Sequence, residues 1–183
     1  GAAGVPESLG SGAEFSGQLR GSLERFEDLQ MRLELGVGRL SLAGLADLLP
    51  EGRKPGGAPA NFAYHARVLG DEGLPVSRIG ADPLGQELQG ELKRLGLPGR
   101  WVQVDPERPT GTVHVALDSG GVPTFTITPR VAWDRLAWNR ELEELAGRTD
   151  AVCFGSLAQR DPVSRATIRA FLPATPAGAP RLS

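Results

Sequence analysis

Apolar residues recur at helical spacing in two segments of the chain, and a glycine follows each segment. The first segment ends before Gly70 and contains Phe62, Ala63, Ala66 and Leu69. The second ends before Gly96 and contains Leu84, Leu88, Leu92 and Leu95. Spacings of three and four are typical of a helix with one buried face, and glycine commonly ends a helix. We therefore predict two amphipathic helices here.

Shorter apolar runs predict strands and two further helices. Single strands are predicted from Arg39, where Leu40 and Leu42 alternate and Leu45 follows, and then over Val76–Ile79 and Ala151–Phe154. Three strands follow one another without a helix, namely Trp101–Val104, Thr112–Leu117 and Thr124–Thr128. Asp118–Gly121 is the predicted hairpin turn, and later helices are predicted over Asn139–Ala146 and Pro162–Leu172. The order predicts an α/β fold with a β insertion at about residues 101–128.

The two ends of the chain are of a different composition. Residues 1–21 are rich in glycine, alanine and serine, so we expect a mobile segment, followed by one amphipathic helix over Ser22–Leu35. We therefore expect residues 1–38 to form an N-terminal segment that is separate from the domain that follows. Residues 173–183 are rich in proline and alanine and are predicted to be a tail that continues neither helix nor strand.

Composition excludes several classes of function. A formal charge of −2 and the lack of a lysine or arginine block argue against nucleic acid and anionic membranes as partners. Cys153 is the one cysteine, and its apolar neighbours predict a buried, inert thiol in a reducing, cytoplasmic setting. His65 and His114 have no carboxylate or cysteine spacing that would suggest a metal site, and we predict structural roles for both.

The run from Gly56 to Ala66 carries the strongest candidate chemistry. Gly56 and Gly57 allow the backbone to approach a ligand closely, and Pro59 suits the first turn of the helix that follows. Asn61 then lies near the open end of this helix. An amide that both donates and accepts hydrogen bonds is suited to sugar hydroxyls. The alternative is a helix-capping role for Asn61.

Further motifs lie before and after this run, in a specific order. They are the run Ala46–Gly52, which contains Asp47, then Gly80–Gly85, Pro109–Asp118, Val131–Asp134 and Cys153–Arg160. Together with the glycine pair, this set resembles the N-terminal half of the PfkB, or ribokinase-like, carbohydrate kinases, and the fructokinase branch above all. The resemblance covers about residues 45–172. It implies a partial ribokinase-like three-layer sheet with a small β lid, in a domain spanning residues 39–172.

The resemblance implies a sugar pocket made by Asp47, Gly56, Gly57 and Asn61. Arg160 follows the predicted strand Ala151–Phe154, which would end at the pocket, so it is a further candidate contact to sugar or phosphate. For Asp47 the alternative is a solvated turn before Pro50, and for Arg160 it is an ordinary surface position. Asp82 is instead predicted to cap the helix near Leu84. The family also implies a lid whose apolar face closes over the sugar, and in some members lids pair to form homodimers.

Transfer of phosphate from ATP requires a base and an anion-stabilising site. In this family both come from a Gly-Ala-Gly-Asp segment, which the chain lacks. We therefore expect a fragment, truncated before the nucleotide-binding half by biology or by a gene-model error, with no catalytic residue, metal or bound cofactor of its own. The complete enzyme would use ATP and Mg²⁺ to phosphorylate a sugar hydroxyl. The alternatives are a fragment of a 2-keto-3-deoxygluconate kinase and a non-catalytic sugar-binding or interaction module.

Overall fold

The computed structural model describes residues 39–40, 47–49, 52–54, 57–117, 119 and 122–182. The predictions for residues 1–38, for Leu42, Leu45 and Gly56, and for most of the Asp118–Gly121 turn lie outside the described residues. One compact unit is formed by Gly36–Val115 together with Phe125–Ser183, and the hairpin tip Ala116–Thr124 is not part of it.

Four α-helices are present in the described residues: α1 (Ala58–Val68), α2 (Pro83–Arg94), α3 (Arg140–Ala146) and α4 (Pro162–Ala174). The first strands are β1 (Arg39–Leu40), β2 (Asp47–Leu49), β3 (Gly52–Lys54), β4 (Glu72–Gly73) and β5 (Ser77–Gly80). The later strands are β6 (Val102–Asp105), β7 (Val113–Leu117), β8 (Pro123–Ile127), β9 (Val152–Cys153) and β10 (Arg181–Leu182). Short 3-10 helices cover Ala132–Arg135 and Leu157–Arg160.

The predicted α1 and α2 are confirmed, including their glycine ends. Gly70 and Gly96 have φ values of +97° and +69°, a backbone region that glycine adopts without strain. Leu88 and Leu92 of α2 are buried in one apolar cluster with Ala63, Ile79, Leu97 and Val102. The leucine spacing therefore identified the buried face of α2 correctly.

The strand predicted over Trp101–Val104 does not belong to the β insertion. It forms β6, which pairs in parallel with β5 in a register that begins at Ser77↔Val102 and ends at Gly80↔Asp105. The helix α2 connects these two strands, so the three elements make a βαβ unit of the body. The prediction that the insertion starts near residue 101 was therefore wrong. The strand β6 pairs with β5, and being followed directly by further strands in the sequence does not place it in their sheet.

The sheet of the insertion also contains two strands from earlier in the chain, β2 and β3. This sheet has four strands in the order β3, β2, β7 and β8. Asp47 is paired in parallel with Val113 and in antiparallel fashion with Lys54. We call this four-stranded sheet the lid. The sequence around Pro50 gave a turn prediction only, because strands of three residues carry too short an alternation to be recognised.

The prediction of a featureless tail after Leu172 was also wrong. Helix α4 continues through Pro173 to Ala174, and β10 pairs in parallel with β9. Pro173 has no N–H to donate within the helix, but only Ala174 follows it in α4, so little of the helix is disturbed. The Leu172 carbonyl oxygen, in the last turn, accepts the Thr175 hydroxyl at 2.7 Å and the Arg181 guanidinium at 2.9 Å. The tail thus returns the chain to the sheet.

The largest apolar cluster lies between the helices α3 and α4 and the strand β9. Its buried members include Leu136, Leu142, Leu145, Val152, Ile168 and Phe171. Trp138 packs against this cluster and meets Phe171 edge to face at 6.1 Å between ring centroids. Such a core fixes the segment after β9, from which the candidate site takes part of its side chains.

Candidate functional site

Gly57 and Asn61 lie in the first turn of α1. Gly57 is the N-cap residue, with φ 104° and ψ 133°, and its carbonyl oxygen accepts the backbone N–H of Asn61 at 3.1 Å. Pro59 occupies the first turn, as predicted. The helix-cap alternative for Asn61 was wrong, because the cap position belongs to Gly57 four residues earlier. Asn61 is half-buried, and its binding of a sugar stays a prediction.

Helix α1 is held closely against the strands beside it. A methyl group placed on Gly73 of β4 would lie 1.9 Å from the Ala63 carbonyl oxygen, so helix and strand approach within backbone contact. Phe62 and Ala66 pack in one cluster with Cys153 of β9 and with Ala151, which precedes that strand. The helix that carries Asn61 is therefore rigidly placed on the sheet, which a binding residue requires.

Asp47 is the first residue of β2, within the lid, rather than part of a solvated turn. The turn alternative was therefore wrong for its backbone. Its role as a sugar ligand stays a prediction.

Arg160 lies half-buried and bound to the protein rather than free on the surface. Its Nε donates to Asp134 Oδ1 at 2.7 Å, and its Nη2 donates to Asp134 Oδ2 at 2.9 Å and to the Thr128 carbonyl oxygen at 2.7 Å. The guanidinium also lies 5.7 Å from the Trp133 ring centroid. The surface alternative was wrong, and a contact of Arg160 with sugar or phosphate stays a prediction.

Asp82 caps α2, as predicted, through an Oδ1 that accepts the Gly85 amide at 2.8 Å. The same carboxylate accepts the Thr110 amide at 2.7 Å and the Thr110 hydroxyl at 2.7 Å. Thr110 in turn accepts the Gly80 amide at 2.9 Å. Sequence reasoning missed this second role, although Thr110 lies two residues before the predicted lid strand Thr112–Leu117.

Tight backbone contacts explain the glycines of this region. A methyl group on Gly80 would lie 2.6 Å from the Arg108 carbonyl oxygen and 2.6 Å from the Thr110 nitrogen. One on Gly85 would lie 2.2 Å from the Gly80 carbonyl oxygen, and one on Gly111 would lie 2.7 Å from the Trp133 ring. These glycines therefore allow the chain just before β7, where the lid begins, to lie in close contact with the rest of the fold.

Cys153 is half-buried, and burial raises the pKa of its thiol, which agrees with the predicted inert role. Among the described residues there is no group of three metal-ligating side chains. No helix in the described part of the chain is both long and apolar enough to cross a membrane.

The carboxylate of Asp82 predicts a pH dependence of stability. Burial acts to raise its pKa, but hydrogen bonds from Thr110 and Gly85 outweigh burial and lower the pKa. A lowered folded-state pKa stabilises the fold above the unfolded value of about 3.9, and this contribution is lost as the pH falls through the folded value. We expect the free energy of unfolding to fall on acidification below about pH 4, and to fall less in Asp82→Asn.

Urea unfolding at several pH values between neutral and acidic measures this difference. Asp105 has a pKa that is also lowered, with burial raising it and hydrogen bonds from Glu107 and Arg108 lowering it, so part of the acid sensitivity will persist in the variant. Equal acid sensitivity in wild type and Asp82→Asn would show that the Thr110 and Gly85 bonds do not favour the ionised form.

Three comparisons place the chain among known proteins. The model of the pfkB family carbohydrate kinases matches residues 51–176, more than half of the chain. A fructokinase of Klebsiella pneumoniae is 37% identical over 137 residues, covering 71% of this chain and 44% of that protein. The chain thus spans about half the length of the relatives it matches.

Solved structures agree. A sugar kinase of Pyrococcus horikoshii, solved in complex with ATP, has a TM-score of 0.64 at 27% identity and covers 74% of this chain and 48% of its own. A fructokinase double mutant of Vibrio cholerae, solved with fructose, ADP and potassium ion, has a TM-score of 0.60 at 26% identity, covering 75% and 46%. The α/β fold is that of about half of a ribokinase-like kinase. The chain therefore belongs to the PfkB family of carbohydrate kinases.

Proposed function

We propose that this chain is the sugar-binding part of an ATP-dependent fructokinase. The observation that carries the proposal is the first turn of α1, where Gly57 occupies the N-cap position and the Asn61 side chain makes no capping bond. A half-buried amide at the open end of a fixed helix is suited to donate to one sugar hydroxyl and accept from another.

Within the proposed pocket, Gly57 and Gly56 bring the backbone close to the sugar and Asn61 contacts its hydroxyls. Asp47 adds a carboxylate from the lid strand β2, where charge-assisted bonds to vicinal hydroxyls would be stronger than neutral ones. Arg160 is a further candidate contact at the end of the segment after β9. These assignments extend the family resemblance to individual residues of this chain.

The complete enzyme would bind ATP with Mg²⁺ and transfer the γ-phosphate to a sugar hydroxyl. ATP is present in the structure of the Pyrococcus horikoshii relative, and fructose and ADP are present in that of the Vibrio cholerae relative. Neither a Gly-Ala-Gly-Asp segment nor a Walker-type loop occurs in the 183 residues, so base and anion site must come from elsewhere. A cytoplasmic location and pairing through the lid are further parts of the proposal.

A fusion protein tests the proposal. We expect this chain, joined to the remaining C-terminal portion of the Klebsiella pneumoniae fructokinase, to release ADP in the presence of ATP, Mg²⁺ and fructose. The 183-residue chain alone is expected to release none, because general base catalysis alone supplies about 10² to 10⁴ in rate and the anion site is lacking as well. A coupled assay of ADP with purified proteins measures both.

The choice of sugar decides between the alternatives. A folded fusion protein that phosphorylates 2-keto-3-deoxygluconate in preference to fructose would retain the kinase class and refute the fructokinase assignment. Calorimetric binding of fructose to the 183-residue chain, with a fusion protein that folds but turns over no sugar, would favour a non-catalytic binding module.

A further inference from the structure

The two strands that carry the lid hairpin are joined at their base. The Thr128 amide donates to the Thr112 carbonyl oxygen at 3.1 Å, and the two threonine hydroxyls lie 2.8 Å apart. We call residues 112–115 the incoming leg and residues 125–128 the outgoing leg. These bonds between Thr112 and Thr128 hold the two legs together at the base, where the chain enters the lid and leaves it again.

Each leg is attached to the body by a different carboxylate. On the incoming side, Asp82, the N-cap residue of α2, accepts both donors of Thr110. On the outgoing side, Asp134 holds Arg160, which donates to the Thr128 carbonyl oxygen at 2.7 Å. The two attachments come from separate elements, so they can be tested separately.

The outgoing attachment is well buried and geometrically fixed. The side chain of Asp134 is 3% exposed and that of Arg160 is 27% exposed. Asp134 also accepts the Val131 amide at 3.0 Å, which anchors the carboxylate to the 3-10 helix that starts at Ala132. Two bonds from one guanidinium to one carboxylate fix the orientation of the planar group, which a lysine cannot reproduce.

Trp133 links this attachment to the incoming leg. Its ring packs under the Arg160 guanidinium and leaves no room for a side chain at Gly111. Its carbonyl oxygen accepts the Ser164 hydroxyl at 2.6 Å, which ties the same residue to α4. A shift of Arg160 would therefore reach both legs of the lid.

We propose that Arg160 is a positioning residue that sets the base of the lid through Asp134 and Thr128. It lies on the segment that follows β9, so it couples the end of that strand to the outgoing leg. The inference rests on the proposed function, because it takes this sheet to be the lid of a sugar site. Arg160 then acts on the sugar site by fixing where the lid starts, a role that does not require a bond from Arg160 to the sugar.

Hydrogen–deuterium exchange in the 183-residue chain, without sugar, tests the proposal. In Arg160→Met we expect amides of both legs to exchange about tenfold faster or more, while those of α2 stay unchanged, since a lost charged bond opens its own neighbourhood. Arg169→Met, an exposed arginine of α4, is the matched control and should change neither region. Wild-type exchange in the legs of a folded Arg160→Met would overturn the proposal.

Arg160→Met leaves Asp134 buried without its cation and could unfold the chain. Arg160→Lys decides in that case, because a lysine keeps the charge but has one nitrogen for three acceptors. Leg amides that exchange several-fold faster in Arg160→Lys support the proposal, and leg amides at the wild-type rate overturn it. Unchanged exchange with weakened fructose binding would instead make Arg160 a direct sugar contact, leaving the proposed function intact.

Discussion

Asn61→Ala is expected to lower kcat/KM for fructose by about tenfold to a hundredfold in the fusion protein described above. A hydrogen bond to a bound sugar that is left half made costs about 1 to 3 kcal/mol, which corresponds to this range. The stability of the protein should change little, because Asn61 does not cap α1. Steady-state kinetics with varied fructose, together with a thermal melt, measure both quantities.

Gln86→Ala is the matched control for this prediction. Gln86 is an exposed amide in the first turn of α2, so its removal deletes the same functional group from a comparable helical position. We expect wild-type kcat/KM in that variant. A well-folded Asn61→Ala with wild-type kinetics would remove the main reason for placing the sugar at α1, and a lowered melting temperature with unchanged kcat/KM would assign Asn61 to stability alone.

Gly85→Ala and Gly90→Ala are expected to change stability in opposite directions, although both lie in α2. A methyl group on Gly85 would meet the Gly80 carbonyl oxygen at 2.2 Å, whereas nothing lies within 4 Å of one on Gly90. Overpacking costs about 1 to 3 kcal/mol, so Gly85→Ala should lower the free energy of unfolding by this amount or more. Gly90→Ala should raise it by about 0.5 to 1 kcal/mol through helix propensity.

Urea unfolding of the three proteins at neutral pH measures this contrast. The pair controls for the general effect of replacing glycine by alanine in a helix, since only at Gly85 would the methyl group meet other residues, namely Gly80 and the Thr110 hydroxyl. Should both variants gain stability, the close approach between α2 and the end of β5 would not exist in solution.

The local elements followed from the sequence because their signals are local. The leucines of α2 and the glycines at 70 and 96 predicted helices and their ends, and Asn139 was correctly placed at the start of α3, where it accepts the Leu142 amide at 2.9 Å. Each of these signals lies within one or two turns of the element it specifies. The family followed from the order of several such motifs.

The partners of the site residues could not be predicted because they are distant in sequence. Asp134 and Arg160 are 26 residues apart, and Asp82 and Thr110 are 28 apart. No periodicity relates such positions, and only the fold brings them together. The strand β2 was missed because it is only three residues long, and its pairing with β7, which places Asp47 opposite Val113, joins positions far apart in sequence.

Asp82 performs two tasks with one carboxylate, which limits how this region can evolve. A serine at this position could still cap α2, but it has a single oxygen and a shorter reach than the carboxylate that serves Thr110 as well as Gly85. A glutamate would keep the charge but displace it from the cap. Drift at position 82 therefore alters the helix and the lid in one step, so we expect lineages to replace Asp82 only together with Thr110.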